Sequence, residues 1–238
     1  MPALIDSLID KQDNVEIVGD LLASILKIEQ ANQQVLAVAA TPPKDPSLWK
    51  LRVFRDRTNP WDEWSELDDA DVNKAKDATP LVNVGFDSAT FDEAKSNPIE
   101  QQRCDALFNI DVYGYGVSSG KGSGHTPGDQ DASDNLARGV RLVRNILMSA
   151  QYAYLGLPRG KDQFVCGRWP QSIEYFQPGI DGLVVPHVLA ARLVLKVSFN
   201  ENAPQWTPQL ISIIRATVKR QGTGEIYLVA EYDFPDPP

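Results

Sequence analysis

Apolar positions recur at helical spacing over residues 14 to 40, where Val18, Leu21, Leu22, Ile25, Ile28, Val35 and Leu36 fall broadly on one face. This predicts a long amphipathic helix, with Asn14 as a plausible N-cap and Pro42–Pro43 ending it. A short helix over Leu4 to Ile9 can precede it. The run from Leu48 to Phe54 changes period and alternates, which predicts a strand with Trp49, Leu51 and Val53 on its apolar face. Residues 55–79 are charged and lack strand periodicity; they are expected to be a surface insertion with some helix between Asp68 and Ala78. Strand composition returns at Leu81, Val82, Val84 and Phe86, and 92–102 reads as a polar connector.

The most sharply punctuated stretch follows. Cys104, Ala106, Phe108, Ile110 and Val112 share one face of an alternating strand, which leads into a Gly/Ser-rich loop at 117–130. A second long helix is then predicted from about Asp131 to Tyr154. Its apolar stripe is Leu136, Val140, Val143, Leu147, Ala150 and Tyr154, closed by Gly156 and Pro158. Ile173, Tyr175 and Val165 mark a strand interrupted by Pro170. The odd positions Leu189 to Phe199 are apolar, whereas Arg192, Lys196 and Ser198 occupy even ones, as expected of a half-buried strand. Leu210–Val218 and Ile226–Tyr232 flank a glycine-containing tip and suggest a C-terminal β-hairpin spanning 208–232, with DFPDPP as a short extended tail. The expected fold is α+β: a largely antiparallel β-sheet packed by two long α-helices, in one domain over 1–238.

Charge narrows the function. A formal net charge of -9 and a pI near 4.7 argue against a general nucleic-acid binder, which needs a basic surface to displace counterions. An acidic wall could still let DNA pass without gripping it. Cys104 and Cys166 have neither metal-ligand spacing nor a disulfide framework; reduced thiols suit a cytoplasmic product, and a single bridge between them stays open. The opening residues lack the pattern of a signal peptide, and no apolar run approaches the roughly 20 residues that span a bilayer.

Candidate chemistry is sparse. Gly116-Val117-Ser118-Ser119-Gly120 matches the nucleophile-elbow pattern, with His187 the only histidine downstream of a possible acid. The mechanism needs a turn running straight into a helix, and about ten further loop residues intervene here, so a loop is the plainer reading. Gly120-Lys121-Gly122-Ser123 fails the spacing of a phosphate loop. With His125 and His187 alone, no zinc constellation can be assembled, and the acidic pairs Asp68-Asp69 and Asp129/Asp131 lack calcium-loop spacing. No catalytic, cofactor or metal residue is assigned. Arg138, Arg141 and Arg144 form a row at spacing three. It is a solvent-facing helix side, a docking face for acidic surface of a neighbouring copy or partner, or a DNA contact disfavoured by overall charge. Trp61 and Trp64 either fold back on the core or anchor another protein, and Lys121 joins these as a candidate contact.

Several segments resemble the tail terminators of contractile-tailed bacteriophages. Asp20–Leu26 continuing to Gln33–Ala37 is similar to their opening helix, and Ile110–Gly116 to the strand before their central helix. Asn145-Ile146-Leu147, Tyr154-Leu155-Gly156 and Ala191-Arg192-Leu193 through Phe199-Asn200-Glu201 complete a likeness over most of residues 15–201. It rests on order and spacing, since none of these motifs is catalytic. The resemblance implies a structural virion protein, a homohexameric ring assembled in the host cytoplasm. Such a ring caps the tail tube, stops its polymerisation and joins the tail to the neck, with the tube protein, a neck stopper and the sheath as partners and DNA passing through its lumen. Another head–tail or tail component (neck stopper, tube initiator or baseplate protein) is the alternative. A serine hydrolase using Ser118 is the third reading.

Overall fold

The computed structural model describes residues 12–60, 79–97, 101–120, 124–157, 164–178, 187–202, 213–219 and 226–233. Lys11–Asn202 forms one compact unit. Within it, helix α1 (Asn14–Ala39) is followed by a 3-10 turn (Pro46–Trp49) and by strands β1 (Arg52–Arg55), β2 (Leu81–Asn97) and β3 (Gln101–Tyr115). Helix α2 (Gly128–Met148), a second 3-10 turn (Ala150–Tyr152) and strands β4 (Val165–Phe176) and β5 (Val188–Asn202) complete it. In the other unit, β6 (Ile213–Lys219) and β7 (Ile226–Asp233) pair antiparallel.

The protein is α+β. Its main sheet is mixed, in the order β1-β2-β3-β5-β4: β1 runs parallel to β2, and the other three pairings are antiparallel. The helices lie on one side, α1 against β1 and β2, α2 against β3 and β5, and each touches the other. The alternation of β3 explains why. Cys104, Ala106, Phe108, Ile110 and Val112 are buried against the helices together with Leu193, Leu195, Val197 and Phe199. Val18, Leu22 and Leu26 of α1 and Leu136, Val143 and Leu147 of α2 close the same core. The opposite face carries Asp105, Asn109 and Asp111. At one end of the sheet, a smaller cluster of Leu81, Tyr113, Val188 and Ala190 is also buried.

Several boundaries differ from those the pattern predicts. Asp13, not Asn14, caps α1: its carboxylate accepts from the Val15 amide while Glu16 reaches back to the Asp13 amide, a reciprocal pair that Asn14 cannot make from inside the helix. Trp49 belongs to the 3-10 turn, where Asp45 accepts from the Ser47 amide and Pro46 sits at the first helical position. Only Arg52–Arg55 remain as strand. The expected polar connector at 92–102 is strand as far as Asn97 and again from Gln101. Backbone pairing of β2 with β3 and of β3 with β5 continues there, and hydropathy does not register backbone pairing. Helix α2 begins at Gly128 and stops at Met148; Ala150 lies in the 3-10 turn and is exposed, and Tyr154 is half-buried beyond it. Leu155 and Gly156 then take positive φ, 54° and 77°, reversing the chain. Both cysteines are free thiols.

The expected helix at Leu4–Ile9, most of the charged segment with its helix at Asp68–Ala78, the glycine-containing tip after Lys219 and the tail after Asp233 lie outside the described residues. No described helix is long and apolar enough to cross a membrane.

Candidate interaction surfaces

Helix α2 is set in place by small residues. A Cβ at Gly114 would come within 2.5 Å of the Ala132 carbonyl oxygen, and one at Gly116 within 2.0 Å of the Gly128 carbonyl oxygen. The end of β3 therefore lies backbone to backbone against the first turns of α2, a spacing that any side chain would prevent. The Ser118 hydroxyl accepts from the Gly128 amide at 3.1 Å, and Asp131 accepts from the Val117 amide at 3.0 Å, so the entering loop and the helix start hold each other. Asp129 and Asp131 in the first turn also suit the positive end of the helix dipole. Ser119 and Thr126 pair through both backbone hydrogen bonds, which ties the two arms of the loop together. The described arms of the loop are therefore held by hydrogen bonds within the chain.

This arrangement shows how Ser118 and His187 are used. His187 places its ring against Gly128, where a Cβ would meet it at 2.3 Å, and its carbonyl accepts from the Gly116 amide. Ser118 is engaged with the helix amide. No strand–turn–helix elbow forms, because α2 starts only at Gly128. Among the described residues no group of three or more His, Cys, Asp or Glu is disposed to hold a metal ion.

The arginine row does not form one face. Each step of three residues falls roughly 60° short of a full turn, so Arg138, Arg141 and Arg144 fan around α2 rather than lining up. Arg138 is half-buried, and Arg141 and Arg144 are exposed. Arg138 and Arg141 line a recess of about 550 Å³ between α2 and the first 3-10 turn, with Leu48, Trp49, Ala137 and Leu142 as its apolar part. Arg144 is not part of that lining. The Arg138 guanidinium donates to Asn135 Oδ1 at 2.9 Å, and burial pulls its pKa below the usual value despite the charges of Asp131 and Asp45. Leu48 and Trp49 were not legible as site residues, yet Asp45-Pro46-Ser47 spells a capped helical turn that would have moved them off a strand. Trp61, Trp64 and Lys121 lie outside the described residues.

Exposed apolar side chains stand at opposite sides of the sheet. Over the β1–β2 side, the second half of α1 exposes Ile28, Val35, Leu36 and Val38, three of which the helical pattern assigns to a buried face. The pattern registers the stripe but not which positions are covered: in the last turns Ala37 is buried while Val35, Leu36 and Val38 are not. At the other side β4 is the edge strand, and α2 packs over β3 and β5, not over it. Ile173 and Tyr175 of β4 are exposed, the second at 66%, and pair with the core residues Leu193 and Ala191; Trp169 is exposed on the other face, opposite Lys196.

On the face away from the helices, opposite charges are matched across strands. Arg192 grips Asp111 with two hydrogen bonds of 2.7 and 2.9 Å, and Lys196 reaches Asp105 at 2.9 Å. Lys196 also lies over the Trp169 ring, 5.5 Å from its centroid. A polar recess of about 430 Å³ near Asn83, Asp111 and Arg192 is lined by groups already in use. Asn83 bonds both the amide and the carbonyl of Arg57, and Asn109 donates to Asp87. Its polarity is accounted for by the structure it holds together.

No protein-family model matches this sequence, and no curated protein matches it either.

Proposed function

We propose that this chain is a structural virion protein that closes into a ring on the end of a tail tube, stops its growth and joins it to the neck, with DNA passing through the lumen. The observation that carries the reading beyond sequence likeness is the pair of unlike apolar patches at opposite sides of one sheet. Val35, Leu36 and Val38 lie on the α1 side, and Ile173 and Tyr175 on the β4 side. Two different surfaces on opposite flanks suit head-to-tail contact between copies, and head-to-tail contacts that close make a ring. Net charge of -9 suits a lumen that DNA traverses without being held. In this reading the charged segment 55–79 is a surface insertion and 208–232 a C-terminal hairpin, both additional to the ring-forming part.

The hydrolase alternative would require the Ser118 hydroxyl to leave the Gly128 amide that it now serves. Purified protein mixed with its tail tube protein and imaged by negative stain tests the proposal. Caps at one end of tubes whose growth has halted are expected. Tubes that grow on unchecked would assign the chain to another virion role.

A further inference from the structure

The recess between α2 and the Pro46–Trp49 turn combines an apolar lining with two arginines. Its floor is apolar, from Leu48, Trp49, Ala137 and Leu142, and Leu48 is 46% exposed. Its polar lining is Arg138, Arg141, Asn145 and Asp134, so two cations face one acid in a chain whose net charge is -9. Neither arginine makes an ion pair among the described residues, whereas Arg55, Arg192 and Lys196 all do. Arg138 is half-buried and donates to the amide oxygen of Asn135; the charges of Asp131 and Asp45 act on it from further away, without an ion pair. Burial outweighs those distant charges, so a guanidinium is held out of water without a directly bonded carboxylate, and a bound anion would recover part of that cost. Planar guanidinium groups also match carboxylates in a two-pronged geometry.

We infer that this recess binds an acidic segment of a partner protein, with an apolar side chain seated on Leu48 and Trp49 and neighbouring carboxylates on Arg138 and Arg141. The apolar floor favours a peptide over nucleic acid: a phosphate backbone needs a continuous cationic track, and two arginines against a strongly acidic whole do not supply one. The lining shares no residue with the exposed apolar positions of α1 and β4, so the inference does not depend on ring closure. Charge complementarity selects the occupant, and the Asp134 carboxylate in the lining repels acids that do not sit on the arginines.

The probe is the synthetic peptide acetyl-EDFDE-amide, titrated calorimetrically into the full chain at low salt, with acetyl-QNFNQ-amide as the uncharged counterpart. The acidic peptide is expected to bind, and the neutral one at least about tenfold more weakly. Arg141→Gln should weaken binding about fivefold, as for a rim charge pair, and Arg138→Gln with Arg141→Gln should remove it. Leu48→Ser should weaken it as well. Arg144→Gln, on an exposed arginine outside the recess, should leave it unchanged. Arg141 and Arg144 are both exposed, so the comparison stands even if replacing Arg138 impairs folding. Equal losses from Arg141→Gln and Arg144→Gln would reduce the site to diffuse charge. Equal binding of the two peptides, no binding at millimolar peptide, or displacement by a short DNA oligonucleotide at lower concentration would each overturn the inference. Tube capping is scored separately, so that the recess can fail while the ring stands, or the reverse.

Discussion

Asp105 and Glu201 stand on neighbouring strands and are shifted in opposite directions. Burial pushes the Asp105 carboxyl upward, but hydrogen bonds from Ser198 and Lys196 outweigh it and hold it below the usual value. Glu201 is raised, first by burial and then by the charge of Asp13. The signs follow from linkage. A depressed carboxylate adds stability that is present above its unfolded pKa of about 3.9 and is lost as pH falls through the folded value. A raised one does the reverse: its contribution is lost as pH climbs from about 4.3 through the folded value. Asp105→Asn should therefore lower the urea midpoint at pH 7, with the deficit shrinking toward pH 3. Glu201→Gln should raise the midpoint at pH 7, and the gain should vanish below about pH 4. Parallel denaturation series across that range would show whether the two curves bend oppositely. Alternation alone placed Asp105 on the face away from the core. The partners that set its pKa lie across the strand pair, on a strand more than ninety residues away in sequence.

At the scale of elements, the contact of β3 with α2 depends on having no side chains where the two backbones meet. Gly116→Ala would drive a methyl group into the Gly128 carbonyl and the Ala132 amide, which are backbone atoms that cannot rotate away. An overpacked contact of this kind costs about 1–3 kcal/mol, and thermal melting should show a loss in that range. Gly85→Ala is the matched control, because its added Cβ would meet nothing closer than 3.8 Å. Both residues are glycines in or beside a strand, so propensity alone would treat them alike; only the position of α2 separates them. The same distinction governs the ends of α2. Its buried stripe at Leu136, Val140, Val143 and Leu147 is visible as a period, whereas its stop at Met148 is tertiary. Arg168 donates from β4 to the Ser149 and Tyr152 carbonyls, turning the chain where periodicity alone would continue the helix.

For the whole molecule, the unlike flanks make a distinct prediction about assembly. Val35→Asp on α1 and Tyr175→Asp on β4 each place a charge on an exposed position, so neither should alter the melting temperature of the monomer by more than a degree or two. Under the ring reading each should abolish self-association on its own, since a head-to-tail contact uses both surfaces once per interface. Sedimentation velocity of the two variants beside the unaltered chain measures this. If both variants assemble as the unaltered chain does, the patches are not the contact.

Local patterning was sufficient for the α+β class, for both helices and for the buried face of β3, because burial imposes periods of 3.6 and 2 that a chain carries in its own residues. It also singled out Arg138 and Arg141, though as members of a row that helix geometry disperses. Tertiary contacts decided the rest. The parallel pairing of β1 with β2, the extent of the strands through polar residues 92–102 and the edge position of β4 are all long-range pairings of backbone groups. Those groups are the same in every residue and leave no mark in hydropathy. The recess at Leu48 and Trp49 has the same origin: its two walls are about ninety residues apart in sequence, and only folding brings an apolar turn beside two arginines.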